Sequence, residues 1–192
     1  MKGLVLVAAL TACAPLIGPS PDDNPDAAPG DILPNGKVTT RANDDGSATT
    51  LVDSSSDTDW TYIDIAAFTE SDANGPWDLR FQRFHISVDG GISGDGNVAV
   101  APVIADFDSV TTAPADGYLQ DAPDGDDENT IPEYAFEQGD GWYDYDVDTH
   151  VLTPKKIVWV VRSTDTTIKL AIDKYYDSAG TAGWFTVTWR KL

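Results

Sequence analysis

The sequence predicts a mostly β protein with a single antiparallel domain, and three observations lead to that prediction. Apolar and polar residues alternate from Trp77 to Val88, which is the period of half-buried strands. Ile157–Val161 is a continuous apolar run, as expected for a central strand that is buried on both faces. No segment between residues 60 and 192 sustains a helical period. We therefore place the β domain at residues 37–192, with its core at residues 60–192.

The first residues predict an export signal with a lipid attachment site. Lys2 precedes the short apolar run GLVLVAAL, and the run leads to Leu-Thr-Ala-Cys at Cys13, the only cysteine. A small residue before a lone cysteine resembles the lipobox of a bacterial lipoprotein, with residues 1–12 removed and lipid joined to Cys13. The run is too short to span a bilayer, which takes about 20 apolar residues. The alternative is an ordinary secretory signal with an incidental cysteine.

Residues 13–36 predict a disordered linker between the lipid and the domain. Prolines and aspartates recur from Ala14 to Pro34, and such a composition cannot bury enough apolar surface to fold. Lipid on one residue gives a tether rather than a spanning segment. Because Ala14 rather than aspartate follows Cys13, we expect the outer membrane, with the protein facing the periplasm or the cell surface.

The alternation between Trp77 and Val88 changes phase partway. The apolar positions are odd-numbered up to Phe81 and even-numbered from Phe84 onward. Since a strand cannot move its apolar residues to the other face without an extra residue, we expect a β-bulge near Gln82–Arg83. The alternative is a strand buried on both faces. The glycine-rich segment DGGISGDG favours a turn, and we expect a return strand at Asn97–Val103, with the other strands pairing outward from this stretch.

The other elements follow in chain order. Threonine-rich segments flank a turn at Asn43–Gly46, which favours short strands there. Residues 105–118 predict a loop with a short helical turn, and residues 120–130 predict a mobile acidic loop. The remaining predicted strands are Lys37–Thr40, Ala48–Val52, Trp60–Ala67, Gly141–Val147, Ile157–Val161, Ile168–Ile172 and Trp184–Trp189.

The charge balance excludes some classes of partner. The formal net charge is −20, from 32 acidic and 12 basic residues. This argues against nucleic acid and against anionic lipid head groups held by a basic surface. Most of the carboxylates are expected on a solvated surface. With a single cysteine joined to lipid, no disulfide is expected, so the fold must depend on its core.

Several segments, taken in order, resemble one family. They run W-T-Y-I at Trp60, WDLRFQRFHI, DGGISGDG and APADGY, and then GWYDYD, IVWVVR, KLAIDKYY and WFTVTW. This order resembles the HmuY family of lipid-anchored bacterial haem-binding proteins, over about residues 60–192. The resemblance implies an all-β fold with a haem pocket between projecting loops. It also implies a role in passing haem to an outer-membrane uptake receptor.

The family's two axial ligand positions are not matched by the residue types found here. The first position lies in the segment from Leu119 to about Glu137, which has no His, Met or Cys and offers only Tyr134. The second falls near residues 146–147, where the nearest histidine is His150. The alternative is therefore a surface lipoprotein that shares the scaffold without haem and acts as an interaction module.

The residues themselves offer three haem-ligand candidates. Imidazole and tyrosinate both bind haem iron, so the candidates are His150, His85 and Tyr134. Asp148 is near enough to His150 in sequence to orient its ring. His85 lies on the polar face of its strand, beside Arg83. Three aromatic residues could face a flat porphyrin: Trp142, Tyr143 and Tyr145.

Calcium binding is a second class of function. Three alternating carboxylates offer hard oxygen ligands of the kind that calcium prefers: Asp144, Asp146 and Asp148. They do not form an EF-hand, because Thr149 stands where glycine is needed and Lys155 where the bidentate glutamate belongs. For catalysis, the sequence has neither a nucleophile elbow nor an H-E-x-x-H motif. We therefore expect a non-enzymatic protein that binds haem or another small ligand.

Overall fold

The structure is a computed structural model that describes residues 36–125 and 130–192. The predicted signal peptide at residues 1–12, the lipidation site at Cys13 and the linker up to residue 35 lie outside the described residues. So do residues 126–129 of the predicted acidic loop. In the described part of the chain, no helix is long and apolar enough to cross a membrane.

The described residues form twelve strands and one short 3₁₀ helix, Phe107–Ser109. In chain order the strands are β1 Val38–Ala42, β2 Ala48–Asp53, β3 Thr61–Asp64, β4 Thr69–Ser71, β5 Leu79–Gln82, β6 His85–Val88, β7 Ala99–Val103, β8 Tyr143–Asp146, β9 Val151–Pro154, β10 Val158–Arg162, β11 Thr167–Tyr176 and β12 Ala182–Lys191. The prediction of a mostly β, antiparallel fold is confirmed.

Two larger sheets enclose one core. The first has six strands in the order β1-β2-β12-β11-β10-β7, and the second has four in the order β4-β3-β5-β6. Buried side chains of both sheets belong to one apolar cluster, and the rings of Phe81 and Phe185 meet across it with centroids 5.2 Å apart. Strands β8 and β9 form a separate two-stranded hairpin. The core is therefore a face-to-face packing of sheets.

Several local predictions agree with the structure. Strands β1 and β2 pair antiparallel around the Asn43–Gly46 turn, with Val38 opposite Val52. The apolar run at residues 157–161 yields β10, which has a neighbour on each side and four consecutive buried residues. Continuous burial follows because side chains on both faces of this strand meet protein rather than water.

The phase change after Phe81 comes from a turn, and the predicted bulge is wrong. Strands β5 and β6 form a hairpin in which Gln82 lies opposite His85, with Arg83 and Phe84 as its turn. Arg83 has φ of 51°, a conformation that tight turns between strands use. A two-residue turn shifts the alternation by one position, so Phe81 and Ile86 become partners on the core face.

The predicted return strand also pairs elsewhere. Strand β7 joins the six-stranded sheet, where Val100 lies opposite Val161 of β10. Strand β6 instead ends the four-stranded sheet. The glycine-rich segment at residues 90–96 therefore carries the chain from one sheet to the other. Strand β4 was not predicted, since three residues are too few to show a period.

Candidate ligand-binding site

The outer face of the four-stranded sheet carries polar side chains and is the base of the candidate site. The inward residues of β5 and β6 are at most 1% exposed: Leu79, Phe81, Ile86 and Val88. Residues directly opposite each other share a face, and alternate residues point the other way. The pairs Arg80–Ser87 and Gln82–His85 therefore lie together on the outer face. The hairpin thus places an arginine and a histidine on the same face, as diagonal neighbours.

Asp121 holds residues 131–139, which we call the covering segment, against this sheet. Its carboxylate accepts hydrogen bonds from Ser87 Oγ at 2.6 Å, from Val88 N at 3.3 Å and from Ala135 N at 2.8 Å. Burial raises the pKa of Asp121, and these hydrogen bonds act against that rise. Asp121 is 2% exposed, so the segment predicted as a mobile acidic loop begins with a buried acceptor for backbone donors.

The covering segment and His85 of β6 line an open cavity of about 560 Å³. It is lined by His85, Asp124, residues 131–134 and residues 137–139. This volume falls within the range of small-molecule and cofactor sites, about 300–1,000 Å³. Ile131, Pro132 and Tyr134 supply apolar surface, whereas the carboxylates of Glu133 and Glu137 make part of the lining acidic.

His85 is held in this lining by a carboxylate. Its Nδ1 lies 3.0 Å and 3.2 Å from the two carboxylate oxygens of Glu137. In the neutral ring this contact makes Nδ1 the protonated nitrogen, which leaves the lone pair of Nε2 for a ligand. Nε2 has no hydrogen-bond partner among the residues that the structure describes. Phe84 packs against the imidazole with centroids 4.1 Å apart.

Tyr134 closes the site beside His85. The two ring centroids are 5.1 Å apart, and Trp60 meets the tyrosine edge-on at 5.6 Å. Burial raises the pKa of the Tyr134 phenol, and the positive charge of Arg80 partly offsets that effect. At neutral pH the phenol is therefore protonated. Two of the three predicted haem-ligand candidates, His85 and Tyr134, thus line the same cavity.

His150 lies elsewhere, at the tip of the β8–β9 hairpin. It is exposed, has φ of 58° and donates its backbone N–H to Asp146 O at 2.8 Å. Its Nδ1 is hydrogen-bonded to the hydroxyl of Tyr145, so the expectation that Asp148 orients the ring is wrong. The cavity lining does not include His150.

The three aromatic residues expected to face a porphyrin occupy different environments. Trp142 is 0% exposed, packs against Phe185 at 5.1 Å and donates from Nε1 to Phe84 O at 3.0 Å. For Trp142 the prediction is wrong, because its indole belongs to the core. Tyr143 is half-buried, and burial raises its pKa. Tyr145 is 49% exposed on the hairpin.

The predicted calcium ligands do not converge. Asp144 pairs with Lys155 at 3.6 Å. Asp146 accepts hydrogen bonds from the backbone nitrogens of Thr149 and Asp148, which lower its pKa. Across residues 36–125 and 130–192, no group of three His, Cys, Asp or Glu side chains is placed to hold a metal ion. The structure therefore gives the calcium prediction no support.

Comparison with known proteins identifies the family. The family model described as HmuY protein matches residues 56–189. The chain belongs to the HmuY family. No curated protein matches this HmuY-family chain.

Solved structures share the HmuY-family fold. A candidate lipoprotein from Bacteroides fragilis is 18% identical with a TM-score of 0.58, and the match covers 78% of this chain and 91% of that one. A candidate HmuY-like haem-binding protein from Bacteroides vulgatus is 20% identical, with a TM-score of 0.55 and coverage of 75% and 91%. The apo HmuY analogue of Tannerella forsythia is 13% identical, with a TM-score of 0.59 and coverage of 81% and 97%. At these identities the likeness shows the fold.

Two residues of the site were missed from the sequence. Glu137 holds His85 from 52 positions away, and Asp121 holds Ser87 from 34 positions away. Neither separation leaves a local pattern. One sequence signal would have been useful for the site. If residues 79–88 are interpreted as a hairpin, Arg80 and His85 are predicted to lie on a common face.

Proposed function

We propose that this HmuY-family protein is a non-enzymatic haem-binding lipoprotein of the cell envelope, and that haem binds in the cavity beside His85. The observation that carries the proposal is the His85–Glu137 pair, with Nδ1 3.0 Å from the carboxylate, in the wall of a cavity of about 560 Å³. Family membership supports it, as does the fold shared with the candidate haem-binding protein of Bacteroides vulgatus.

The residues in the cavity suit haem as a ligand. A neutral imidazole binds haem iron, and a carboxylate on the opposite ring nitrogen strengthens and orients such a ligand. Phe84 and Tyr134 both pack near the imidazole, with ring centroids 4.1 Å and 5.1 Å from it. Glu137 therefore acts by positioning His85. Tyr134 is the second candidate ligand, and its raised pKa means that the phenol would hold its proton at neutral pH.

His150 is the competing ligand candidate, and a haemin titration separates the two histidines. The test uses the full chain carrying Cys13→Ser, so that no attached lipid competes for haemin. We expect a Soret shift at micromolar haemin that is lost in His85→Ala and kept in His150→Ala. Absence of any shift, or a loss confined to His150→Ala, contradicts the proposal. If haemin changes neither the thermal midpoint of the protein nor the Soret band, the interaction-module alternative is favoured.

We further propose that Cys13 carries the lipid and anchors the protein in the outer membrane, facing the periplasm or the cell surface. The likeness to a candidate lipoprotein of known structure supports the lipid anchor, and the outer membrane is proposed because Ala14 rather than aspartate follows Cys13. An uptake receptor in the same membrane is the proposed partner for haem. Membrane fractionation with mass analysis of the Cys13 peptide tests the anchor, and Cys13→Ser should release the protein. An unmodified Cys13 in the membrane fraction would overturn it.

A further inference from the structure

We propose that Arg80, held between Trp60 and Trp77 on the outer face of the four-stranded sheet, anchors a carboxylate of the ligand that binds beside His85. This inference rests on the proposed function and adds the orientation of the ligand. It assigns the ligand class as a planar aromatic ring system with an acidic side arm. The two indoles flank the guanidinium of Arg80, and the guanidinium would bind the carboxylate of the ligand.

Two tryptophans and a hydroxyl fix the guanidinium of Arg80. Its central carbon lies 4.5 Å from the centroid of the Trp60 ring and 5.1 Å from that of Trp77. Indole faces attract guanidinium groups electrostatically. Arg80 Nε also donates to Ser87 Oγ at 3.0 Å, and that hydroxyl donates to Asp121 at 2.6 Å. The charged group is therefore oriented before any ligand arrives.

The guanidinium retains unused donors. Arg83 and Arg190 each have a carboxylate partner, with Arg83 Nε 3.3 Å from Asp57 and Arg190 3.2 Å from Asp45. Within residues 36–125 and 130–192, Arg80 has no carboxylate within the 4.0 Å limit of an ion pair. An arginine presents a planar fork of N–H donors that suits a carboxylate. In a chain of net charge −20, such a group is suited to an external acid.

Arg80 lies at the right distance from His85 for one ligand to reach both. His85 is opposite Gln82 and Ser87 is opposite Arg80, so Arg80 and His85 are diagonal neighbours on adjacent strands. Diagonal neighbours on one face are about 7–8 Å apart. The ring of Tyr134 contacts His85 and also Trp60, on which Arg80 packs. A ring system laid along this face of the sheet would therefore span the two positions.

The charges of the cavity select the same orientation. Glu133 and Glu137 line the cavity and would repel an acidic arm placed inside it. Arg80 is not part of this lining, and it offers the opposite charge beside the cavity, next to Trp60 and Trp77. The unlike charges at the two ends favour a ligand whose acid points toward Arg80 while its ring contacts His85 and Tyr134.

The test compares two metal-free probes, protoporphyrin IX and its dimethyl ester, by quenching of tryptophan fluorescence in the full chain with Cys13→Ser. We expect Arg80→Gln to raise the Kd of the free acid about tenfold, the usual size for a lost charged hydrogen bond, and to leave the Kd of the ester unchanged. Arg80→Lys keeps the charge but loses the fork, so its Kd should lie between the two. Arg162→Gln is the matched control, because Arg162 also stacks on an aromatic ring, Tyr118 at 3.9 Å.

The outcomes separate this inference from the haem proposal. Arg80-dependent binding of the free acid without any Soret shift for haemin would leave the inference standing and overturn iron ligation by His85. Equal loss of acid and ester in Arg80→Gln would show that Arg80 only supports the tryptophans, and would overturn the inference. Unchanged binding of the acid in Arg80→Gln, or no binding of either porphyrin to the parent protein, would overturn it as well.

Discussion

The outer face of the four-stranded sheet and the tip of the β8–β9 hairpin have similar residues but differ in enclosure. Each region places a histidine beside a tyrosine, with carboxylates nearby. At the sheet, the side chain of His85 is 17% exposed and Glu137 holds it, whereas His150 is exposed at a turn. The comparison teaches that residue type alone does not make a ligand site. A covering segment must also exclude water and fix the ring.

Removal of the buried carboxylate of Asp121 should destabilise the region around the cavity. Asp121→Ala leaves the donors of Ser87 and Ala135 without an acceptor, and each buried unsatisfied group costs about 1–3 kcal/mol. We expect a loss of about 3 kcal/mol in the free energy of unfolding, measured by urea denaturation. Asp146→Ala, which also removes an acceptor of backbone N–H bonds but at an exposed turn, is the matched control and should cost much less. Equal losses would show that residues 131–139 are not held by Asp121.

Loss of the carboxylate beside His85 should weaken haemin binding. Glu137→Ala removes the group that fixes the imidazole, and such orienting partners typically change metal affinity by about 10–100-fold. The corresponding change at the hairpin is Tyr145→Phe, which removes the hydrogen bond to His150. We expect the Kd for haemin to rise at least about tenfold in Glu137→Ala and to stay unchanged in Tyr145→Phe. A higher Kd for haemin in Tyr145→Phe, with no change in Glu137→Ala, would instead indicate that haemin binds at the hairpin.

The contributions of Asp121 and Asp146 to the free energy of unfolding should change with pH in opposite directions. Burial raises the pKa of Asp121, so this group binds a proton more readily in the folded state, and its contribution to stability falls as pH rises from about 4 through its folded pKa. Hydrogen bonds from the Thr149 and Asp148 backbone lower the pKa of Asp146, so its contribution is present above about pH 4 and is lost in stronger acid. Urea titrations of Asp121→Asn and Asp146→Asn against the parent protein between pH 3 and pH 6 measure both slopes. Slopes of the same sign would contradict the assigned burial.

Removal of the tyrosine hydroxyl in the cavity should have the smallest effect. Burial raises the pKa of Tyr134, which keeps the phenol protonated at neutral pH and makes it a weak competitor for iron. We expect Tyr134→Phe to change the Kd for haemin by less than about threefold, because the aromatic wall remains. Titration at pH 7, with Tyr143→Phe as a second variant, measures this. A large spectral change confined to Tyr134→Phe would instead make Tyr134 an iron ligand.

Strands of the larger sheet and the two histidine regions show what the sequence can predict. Strand β10 was predicted because its continuous apolar run reflects burial on both faces, and the β1–β2 hairpin was predicted because threonines flank a short polar turn. The β5–β6 hairpin was misread, since a two-residue turn and a one-residue bulge change the apolar phase in the same way. Sequence proximity favoured His150, whose aromatic and acidic neighbours are local. The partners of His85 come from residues 134–137, and only tertiary structure brings them together.

A crystal structure of the full chain with Cys13→Ser in complex with haemin would test the central claim most directly, with iron located by its anomalous scattering. We predict one iron peak bonded to Nε2 of His85, in the cavity that Tyr134 and Glu137 line. An iron peak at His150, or at neither histidine, would contradict it.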